Sequence, residues 1–390
     1  MVGAGQLARM TQQAAIPLGQ SLRVLADSLD DGAALVSADV MVGDYRSLAD
    51  LRTFAAGCDV VTFDHEHVPN EHIAALAEDG VVVHPSATAL RFAQDKTAMR
   101  RQLTSLGIPS PRWVDLSESP DPAAALDVFG AEVGWPIVLK ATRGGYDGKG
   151  VWVVASPVDA EQLLASGDPL LAEEKVAIVR ELAADVARSP FGQGAAWPVV
   201  ETVQADGICL EVIAPAPELP DELADEAQQI ALRMASELGV VGVLAVEFFE
   251  VAACDARPVA GFSGRLLVNE LAMRPHNSAH WTIEGARTSQ FEQHLRAVLD
   301  YPLGTTTPTA PVVVMANLLA GPDDVVPKGI DERVHHCMAR WPDVKIHLYG
   351  KGFRPGRKVG HVTALGNDLV EVRERARAAA DYLTNGDAHG

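Results

Sequence analysis

The first part of the chain alternates short apolar stretches with longer amphipathic ones. Strand-like runs occur at 22–26, 59–63 and 81–83, and helical patterns occupy 6–18 and 46–56. Such alternation is typical of a parallel α/β sheet. Residues 1–92 are therefore predicted to form a Rossmann-like domain.

The first strand of this domain is expected to be very short. Only Met1 and Val2 precede the glycine turn at Gly3 and Gly5. A truncated start is the alternative explanation of this pattern.

The pattern changes after a helical stretch at 94–106, which ends at Gly107. Pro109 and Pro111 indicate a boundary between two structural units. Residues 113–176 are predicted to form a small α+β lid with one helix at 158–166. Further strands are expected within 197–214 and 240–270, on either side of a helix at 221–238. Together, residues 93–305 are predicted to form the second domain.

The remaining residues, 306–390, are predicted to form a small, β-rich C-terminal domain. It follows a helical pattern at 285–300 and a turn-rich stretch at 302–311. Strands are expected at 312–317, 345–349 and 360–364, before a last helix at 368–383.

Composition narrows the class of protein. At 390 residues and 48% apolar, the chain has enough apolar content for several cores. Its formal charge of −20 argues against a nucleic-acid partner, because phosphate contacts need a surplus of Lys and Arg. No run approaches the 18 apolar residues of a membrane span. The four cysteines lack paired spacing, which predicts reduced thiols and a cytoplasmic location; they are Cys58, Cys209, Cys254 and Cys337.

A glycine-rich loop interrupts two apolar strands in "KATRGGYDGKGVWVV", residues 140–154. Glycines allow backbone N–H groups to close around phosphate oxygens without Cβ clashes. Lys140, at the end of its strand, can bring a positive charge to the same phosphates. The alternative is a flexible hairpin with incidental charge.

Two carboxylates are embedded in apolar strands, Glu247 in "VLAVEFF" and Glu270 in "LLVNE". Two antiparallel strands could set them side by side. With Asn269 they would form an all-oxygen site that suits Mg²⁺. The alternative is a pair of outward-facing edge residues.

Two further segments concentrate hydrogen-bond donors. The loop "RPHNSAHWTIEG" carries Arg274, His276 and Asn277, and "HLYGKGFRPGRKVGH" supplies a basic pocket in an acidic protein. Arg and Lys together bind phosphate through forked and point-charge contacts.

Two weaker signals suggest other chemistry. Gly3-x-Gly5-x-x-Ala8, with Asp27 after the next strand, imitates a dinucleotide fingerprint and raises a nicotinamide-dependent oxidoreductase as an alternative. A polar patch follows 59–63, but it lacks zinc spacing and Pro69 is expected to interrupt its helix; its members are His65, Glu66, His67, Glu71 and His72.

The motifs taken together resemble the ATP-grasp superfamily and, within it, the N5-carboxyaminoimidazole ribonucleotide synthetase family of purine biosynthesis. The resemblance runs nearly end to end, through "GAGQLARM", "QDKTAMRRQL", "GGYDGKG", "EEKVAIVREL", "NELAMRPHNSAHWTIEGARTSQFEQHLRA" and "YGKGFRPGRKVGH". It implies an ATP-grasp fold between the Rossmann-like (pre-ATP-grasp) and C-terminal domains. It also implies a ligase that carboxylates 5-aminoimidazole ribonucleotide through carboxyphosphate, using ATP and bicarbonate. Another ATP-grasp ligase, such as formate-dependent glycinamide ribonucleotide transformylase, is the alternative.

The resemblance assigns expected roles. The ATP-binding set is Lys96, Lys140, Gly145, Tyr146, Asp147, Gly148, Lys149, Gly150, Glu173, Glu174, Lys175, Val176, Glu181, Gln204, Asn269 and Glu270. Glu247 and Glu270 would bind Mg²⁺, with Mn²⁺ as a substitute. The expected catalytic set is Lys140, Arg274, His276 and Asn277, and the expected substrate contacts are Glu66, Tyr146, Arg274, Lys351, Arg357 and Lys358. A homodimer is also implied.

The sequence departs from the family pattern at a few positions. Gln204 stands where the family usually has a nucleotide-contacting His, which puts that contact in doubt. Met273 and Ala279 replace the usual Pro and Gly of the signature loop, and the loop at 252–264 is longer than is common.

Overall fold

The computed structural model describes residues 1–145, 149–259, 261–321, 329–352 and 354–386. Within these ranges the chain forms a mixed α/β and α+β structure with three parts. These parts are called here the N-terminal layer, the lid and the central sheet. A cleft lies where the three parts meet, and no helix in the described part is long and apolar enough to cross a membrane.

The N-terminal layer contains a small parallel sheet. Its elements are α1 (Gln6–Ala15), β1 (Arg23–Ala26), β2 (Asp39–Val42), α2 (Leu48–Ala55), α3 (Asn70–Glu78) and α4 (Ala87–Gln94). β1 pairs with β2, and single parallel bridges extend the sheet: Val2 with Leu25 and Phe63, and Val61 with Val83. The expected strands at 59–63 and 81–83 are therefore only bridges, because the chain leaves the sheet after one or two hydrogen bonds.

Pro69 does not interrupt a helix, as the sequence suggested, but precedes one. α3 begins at Asn70, directly after Pro69. Proline is tolerated at a helix start because the first N–H groups have no partner within the helix.

The lid contains α5 (Lys96–Leu106) at its base, then β3 (Trp113–Asp115), α6 (Pro122–Val133), β4 (Ile137–Ala141), β5 (Val151–Val154), α7 (Pro157–Ala165) and β6 (Leu170–Glu174). Its four strands form one antiparallel sheet in the order β3-β6-β4-β5. The sequence predicted one helix here, whereas the structure has two. α6 was missed because it buries only Leu126, Phe129 and Gly130, which leaves little helical periodicity to detect.

The central sheet is antiparallel and carries most of the site. Its strands are β7 (Ile178–Arg188), β8 (Gly194–Ala196), β9 (Val200–Ala205), β10 (Ile208–Ala214), β11 (Gly242–Val251), β12 (Leu266–Ala272), β13 (Val312–Leu319), β14 (Lys345–Leu348) and β15 (Lys358–Gly366). They run in the order β12-β11-β7-β9-β10-β13-β15-β14, and β8 pairs with β7. The helices that pack around this sheet are α8 (Asp221–Glu237), α9 (Thr282–Gly285), α10 (Gln290–Val298), α11 (Ile330–Arg340) and α12 (Leu369–Asn385).

The C-terminal strands continue this sheet instead of forming a separate one. β13 pairs with β10, and Glu211 of β10 accepts hydrogen bonds from Arg373 and Arg377 of α12. The predicted boundary at 305/306 stays a prediction, since strands on both sides share hydrogen bonds.

Candidate active site

A cleft of about 2010 Å³ lies between the N-terminal layer, the lid and the central sheet. Its walls bring together residues from segments far apart in sequence, including Gln6, Lys140, Glu270 and Arg357. This volume accommodates a nucleotide together with a second ligand of similar size.

Nearly all predicted site residues that the structure describes line this cleft. They are Glu66, Lys96, Lys140, Gly145, Lys149, Glu173, Glu174, Lys175, Val176, Glu181, Gln204, Glu247, Asn269, Glu270, Arg274, His276, Asn277, Lys351, Arg357 and Lys358. Gly150 is described but does not line it. Tyr146, Asp147 and Gly148 lie outside the described residues.

Lys140 enters the cleft from the end of β4 and is held by two groups. Its Nζ lies 2.8 Å from Glu173 Oε2 and donates to Asn269 Oδ1 at 2.9 Å. Burial lowers the pKa of Lys140, while the Glu173 charge acts in the opposite direction. The ammonium is thus placed in the cleft wall with little freedom to move.

Glu173 is itself fixed by Arg100, a fully buried residue that the sequence analysis missed. Arg100 Nε donates to Glu173 Oε1 at 2.7 Å, and its other nitrogens donate to the carbonyls of Val268 and Asn269. Burial opposes the charge on Glu173, yet Arg100 and Lys140 hold its pKa down at about 2. The Glu173 carboxylate therefore orients Lys140, and any contact between position 173 and adenine would have to use other atoms.

Glu174, the last residue of β6, is also held by arginines. Its carboxylate accepts from Arg112 Nε at 2.8 Å and from Arg257 at 2.5 and 2.7 Å. Arg257 belongs to the long loop between β11 and β12. Arg257 thus ties this loop to the end of β6.

Glu247 and Glu270 are direct cross-strand partners on β11 and β12. Burial raises the pKa of Glu247 to about 8, and the nearby carboxylates of Glu270 and Glu181 add to the shift. Lys96 Nζ donates to Glu270 Oε1 at 2.7 Å. The prediction that two antiparallel strands set these carboxylates side by side is confirmed.

This donor set fits Mg²⁺. Like charges at close range favour a bound divalent cation, and carboxylate and amide oxygens are the ligands that Mg²⁺ prefers. Among the described residues, no group of three or more His, Cys, Asp or Glu side chains is placed to hold a metal by itself. Two carboxylates completed by phosphate oxygens and water are the usual arrangement for Mg²⁺ in nucleotide sites.

The loop after β12 places Arg274 and His276 beside these carboxylates. Glu66 accepts from Met273 N at 2.8 Å and from Arg274 Nε at 3.1 Å, which ties the loop to the N-terminal layer. His276 Nε2 lies 3.6 Å from Glu247 Oε1. Burial, together with the Arg274 charge, lowers the pKa of His276 to about 3, so its imidazole is neutral at physiological pH.

The basic C-terminal segment forms the far end of the cleft. Lys351 Nζ donates to Gln6 Oε1 at 2.7 Å, which links this segment to the start of α1. Arg357 donates to the carbonyl of Gly352 at 3.1 Å and is accessible to the cleft. A concentration of cations in a protein of net charge −20 is suited to a phosphate group.

The glycine turn at the start of the chain accommodates Asp64, a side chain of the protein itself. This argues against the alternative of a dinucleotide-binding site there. Asp64 Oδ2 accepts from Gly5 N at 2.6 Å, and its Oδ1 accepts from Ala8 N at 2.9 Å. The N-terminus of α1 is thus occupied by a carboxylate of the protein itself. A Cβ on Gly5 would lie 2.4 Å from Asp64 Oδ2, so the glycine is needed for this approach.

Several residues that shape the site were not predicted. Arg100 and Asp64 look like ordinary surface charges in sequence, and only their burial or capping geometry reveals a role. Asp185 was detectable in principle, because a carboxylate in the apolar stretch "ELAADVA" is unusual. Gln6 gave no signal of its own.

Comparison with known families agrees with this geometry. The Ribonucleotide synthetase preATP-grasp domain matches residues 1–94, the ATP-grasp domain 101–291, and the Phosphoribosylaminoimidazole carboxylase C-terminal domain 313–375. The N5-carboxyaminoimidazole ribonucleotide synthase of Mycobacterium tuberculosis is 58% identical over 390 residues, which is 99% of this chain and 87% of the relative.

Solved structures give the same result. The N5-carboxyaminoimidazole ribonucleotide synthetase of Thermus thermophilus has a TM-score of 0.84 at 36% identity, over 99% of both chains. The Aspergillus clavatus N5-carboxyaminoimidazole synthase, in complex with ADP and 5-aminoimidazole ribonucleotide, has a TM-score of 0.85 at 32% identity, over 98% of both. The chain therefore belongs to the N5-carboxyaminoimidazole ribonucleotide synthase family of ATP-grasp enzymes.

Proposed function

We propose that this cleft brings ATP, bicarbonate and 5-aminoimidazole ribonucleotide together, and that the enzyme carboxylates the ribonucleotide to its N5-carboxy form with ATP. The observation that carries the proposal is the position of Glu247 and Glu270. They are cross-strand partners, and Glu270 accepts from the buried Lys96 while Glu247 lies beside His276. Phosphoryl transfer and carboxylation can thus take place in one enclosed space.

The nucleotide half consists of the lid and the start of α5. Lys140 and Lys96 hold the ATP phosphates, and Gly145 and Lys149 of the glycine-rich loop line the same cleft. The backbone of 173–176 lies along adenine, and Glu181 accepts from the ribose hydroxyls. Gln204 lines the same wall and is proposed to contact the nucleotide in place of the usual His.

Glu247 and Glu270, with the Asn269 oxygen, are proposed to hold Mg²⁺, with Mn²⁺ as a substitute. When bound, the ion neutralises charge that develops on the phosphoryl oxygens. The raised pKa of Glu247 supports this role, since a cation at that position would stabilise its carboxylate.

The carboxylation half begins with phosphoryl transfer from ATP to a bicarbonate oxygen. The resulting carboxyphosphate is short-lived in water, so the site has to exclude water while it exists. The amine of the aminoimidazole then bonds to the carboxyl carbon, the bond from carbon to the phosphate oxygen breaks, and the amine loses a proton. Arg274 stabilises the oxyanion, Asn277 orients the carboxyl group, and His276 is proposed to accept the proton.

The ribonucleotide is proposed to place its 5′-phosphate against Lys351, Arg357 and Lys358. Glu66 is proposed to contact the same substrate. Its ion pair with Arg274 holds the loop of Arg274 and His276 next to that substrate. Charge-assisted hydrogen bonds from Arg and Lys supply the affinity.

Release of phosphate from Mg-ATP in bicarbonate buffer tests this function. We expect release to rise sharply when 5-aminoimidazole ribonucleotide is added and to be indifferent to glycinamide ribonucleotide plus formate. The opposite preference would assign the chain to formate-dependent transformylation. Hydrolysis that ignores both ribonucleotides would contradict the proposal.

We also propose that the enzyme is a homodimer in the cytoplasm. The dimer rests on the family resemblance, and the location is supported by the four cysteines, all of which are free thiols. Sedimentation equilibrium of the purified chain tests the dimer.

A further inference from the structure

A buried carboxylate on the central sheet contacts Ser278, in the loop that also carries Arg274 and His276. Asp185 lies on β7 among apolar residues and is 1% exposed. Ser278 Oγ lies 2.9 Å from its Oδ1 and 3.0 Å from its Oδ2. Among the described residues, the Ser278 hydroxyl is the hydrogen-bond partner of this carboxylate. A buried carboxylate is costly, so its retention calls for a function.

The same hydroxyl contacts the imidazole that faces the cleft. His276 Nδ1 lies 2.8 Å from Ser278 Oγ, and Ser278 is 1% exposed. Asp185, Ser278 and His276 thus form a continuous chain from the interior of the sheet to the cleft. The opposite ring nitrogen, Nε2, faces the cleft beside Glu247.

The direction of the hydrogen bonds follows from the number of protons. Burial raises the pKa of Asp185 to about 7, so at pH 8 its carboxylate is ionised and can only accept. The single hydroxyl hydrogen of Ser278 therefore points to Asp185. The hydroxyl oxygen can then only accept from His276, which requires a proton on Nδ1. A neutral imidazole protonated at Nδ1 carries its lone pair on Nε2.

We propose that Asp185 and Ser278 are positioning residues that hold His276 in the Nδ1-protonated form, so that Nε2 presents a lone pair to the amine of the substrate. This proposal rests on the proposed function for its catalytic consequence, but the tautomer itself does not depend on any substrate. The proton that leaves the amine as the nitrogen–carbon bond forms is received at Nε2.

The backbone of the loop supports the same geometry. The N–H of His276 donates to Gln290 Oε1 at 2.7 Å, and Gln290 Nε2 donates to the carbonyl of His276 at 2.8 Å. Gln290 therefore fixes the backbone while the Ser278 hydroxyl fixes the ring. The N–H of Ser278 also lies 3.4 Å from His276 Nδ1, too long to compete with the 2.8 Å contact.

The test compares Asp185→Asn and Ser278→Ala with the unchanged enzyme at pH 8. In Asp185→Asn the charge that forces the Ser278 hydroxyl hydrogen towards position 185 is gone, and the amide NH2 can donate to Ser278. The hydroxyl is then free to turn to His276 Nδ1, and the imidazole proton can move to Nε2. Imidazole ¹⁵N spectra of the enzyme labelled at histidine report this directly, with His276→Gln identifying the resonance. We expect the Nδ1-protonated form in the unchanged enzyme and the Nε2-protonated form in Asp185→Asn.

Kinetics provide the second readout. Both variants are expected to lower kcat by about 10- to 100-fold while the KM for ATP stays within about twofold, because orientation of a reacting group and not nucleotide binding is lost. Ser278→Thr keeps the hydroxyl and should recover most of the rate. Thr363→Val, which removes a buried hydroxyl from β15 of the same sheet, is the matched control and should leave kcat unchanged.

An unchanged imidazole tautomer in Asp185→Asn, or an unchanged kcat in a variant whose tautomer has changed, would overturn the proposal. Failure of the proposed function is distinguishable from this. It would appear as an unchanged enzyme that shows no hydrolysis dependent on 5-aminoimidazole ribonucleotide, whatever its tautomer.

Discussion

Glu247 and Glu270 lie opposite each other on neighbouring antiparallel strands, although 22 residues separate them in sequence. Burial is the main cause of the raised pKa of Glu247, and the nearby charge of Glu270 raises it further. Lys96 pairs with Glu270, but the raised pKa of Glu247 shows that its ionised form is still destabilised. The Mg²⁺ requirement proposed above should therefore depend on this pair.

Glu247→Gln is expected to raise the Mg²⁺ concentration for half-maximal activity by at least about tenfold, because one anionic ligand is lost. Titration of ATP hydrolysis with Mg²⁺ measures this change. Glu237→Gln, at the exposed end of α8, is the control and should not alter the titration. An unaltered Mg²⁺ requirement in Glu247→Gln would exclude this carboxylate as a ligand.

Glu173→Gln is expected to destabilise the protein by about 3–5 kcal/mol, because Arg100 and Lys140 would each lose a buried charged partner. The KM for ATP should rise as well, since Lys140 loses its ion pair and keeps only the contact with Asn269. Urea denaturation and initial rates measure the two effects. Glu132→Gln removes an exposed partner of Arg112 and should cost less than about 1 kcal/mol.

Asp64→Ala is expected to cost about 0.5–2 kcal/mol, because two N–H groups at the start of α1 lose their acceptor. Asp64→Asn keeps one amide oxygen and should lie between the two proteins in thermal denaturation. Equal stability of Asp64→Ala and the unchanged enzyme would show that the glycine turn does not depend on this cap.

Asp185 should make stability depend on pH. Burial raises the pKa of Asp185 from 3.8 to about 7, so the folded protein holds a proton there that the unfolded chain has lost. Its contribution is therefore greatest below about pH 4 and decreases as the pH rises towards 7, in total by roughly 4 kcal/mol. Asp185→Asn should lose less stability than the unchanged enzyme between pH 5 and pH 8. Parallel losses in urea denaturation would contradict the assignment.

Lys351→Ala and Arg357→Ala are expected to raise the KM for the ribonucleotide by about 10- to 100-fold, since each removes a charged hydrogen bond to phosphate. The KM for ATP should not change. Lys345→Ala, an exposed position on β14, controls for loss of charge alone. A rise in the KM for ATP of similar size would move the basic segment to the nucleotide half.

The sequence predicted which residues come together in the cleft better than it predicted some of the elements around them. The apolar setting of Glu247 and Glu270 and the donor-rich loop after them are local patterns, and the strands behind them are long. Helix α6 was missed, and the prediction of full strands at 59–63 and 81–83 was wrong, because these residues carry little periodicity. Tertiary pairing, and not local preference, decides their structure.

Roles that depend on two distant segments were out of reach of a local pattern. Arg100 is separated from Glu173 by 73 positions, and Asp185 from Ser278 by 93. The turn at Gly3 and Gly5 imitates a dinucleotide fingerprint in sequence, whereas in the structure Asp64 accepts from Gly5 N and Ala8 N. A carboxylate of the protein and a bound phosphate both require free backbone N–H groups at the start of a helix. Only the three-dimensional structure shows which of the two anions is present.

The central claim is that ATP phosphorylates bicarbonate in this cleft, and isotope transfer tests it most directly. The enzyme is mixed with Mg-ATP, 5-aminoimidazole ribonucleotide and fresh ¹⁸O-labelled bicarbonate, and the released phosphate is analysed by mass spectrometry before the label exchanges with water. We expect one ¹⁸O in the phosphate, because the oxygen that accepted the phosphoryl group stays with it when the bond to carbon breaks. Phosphate without ¹⁸O would mean that water receives the phosphoryl group, and it would contradict the account.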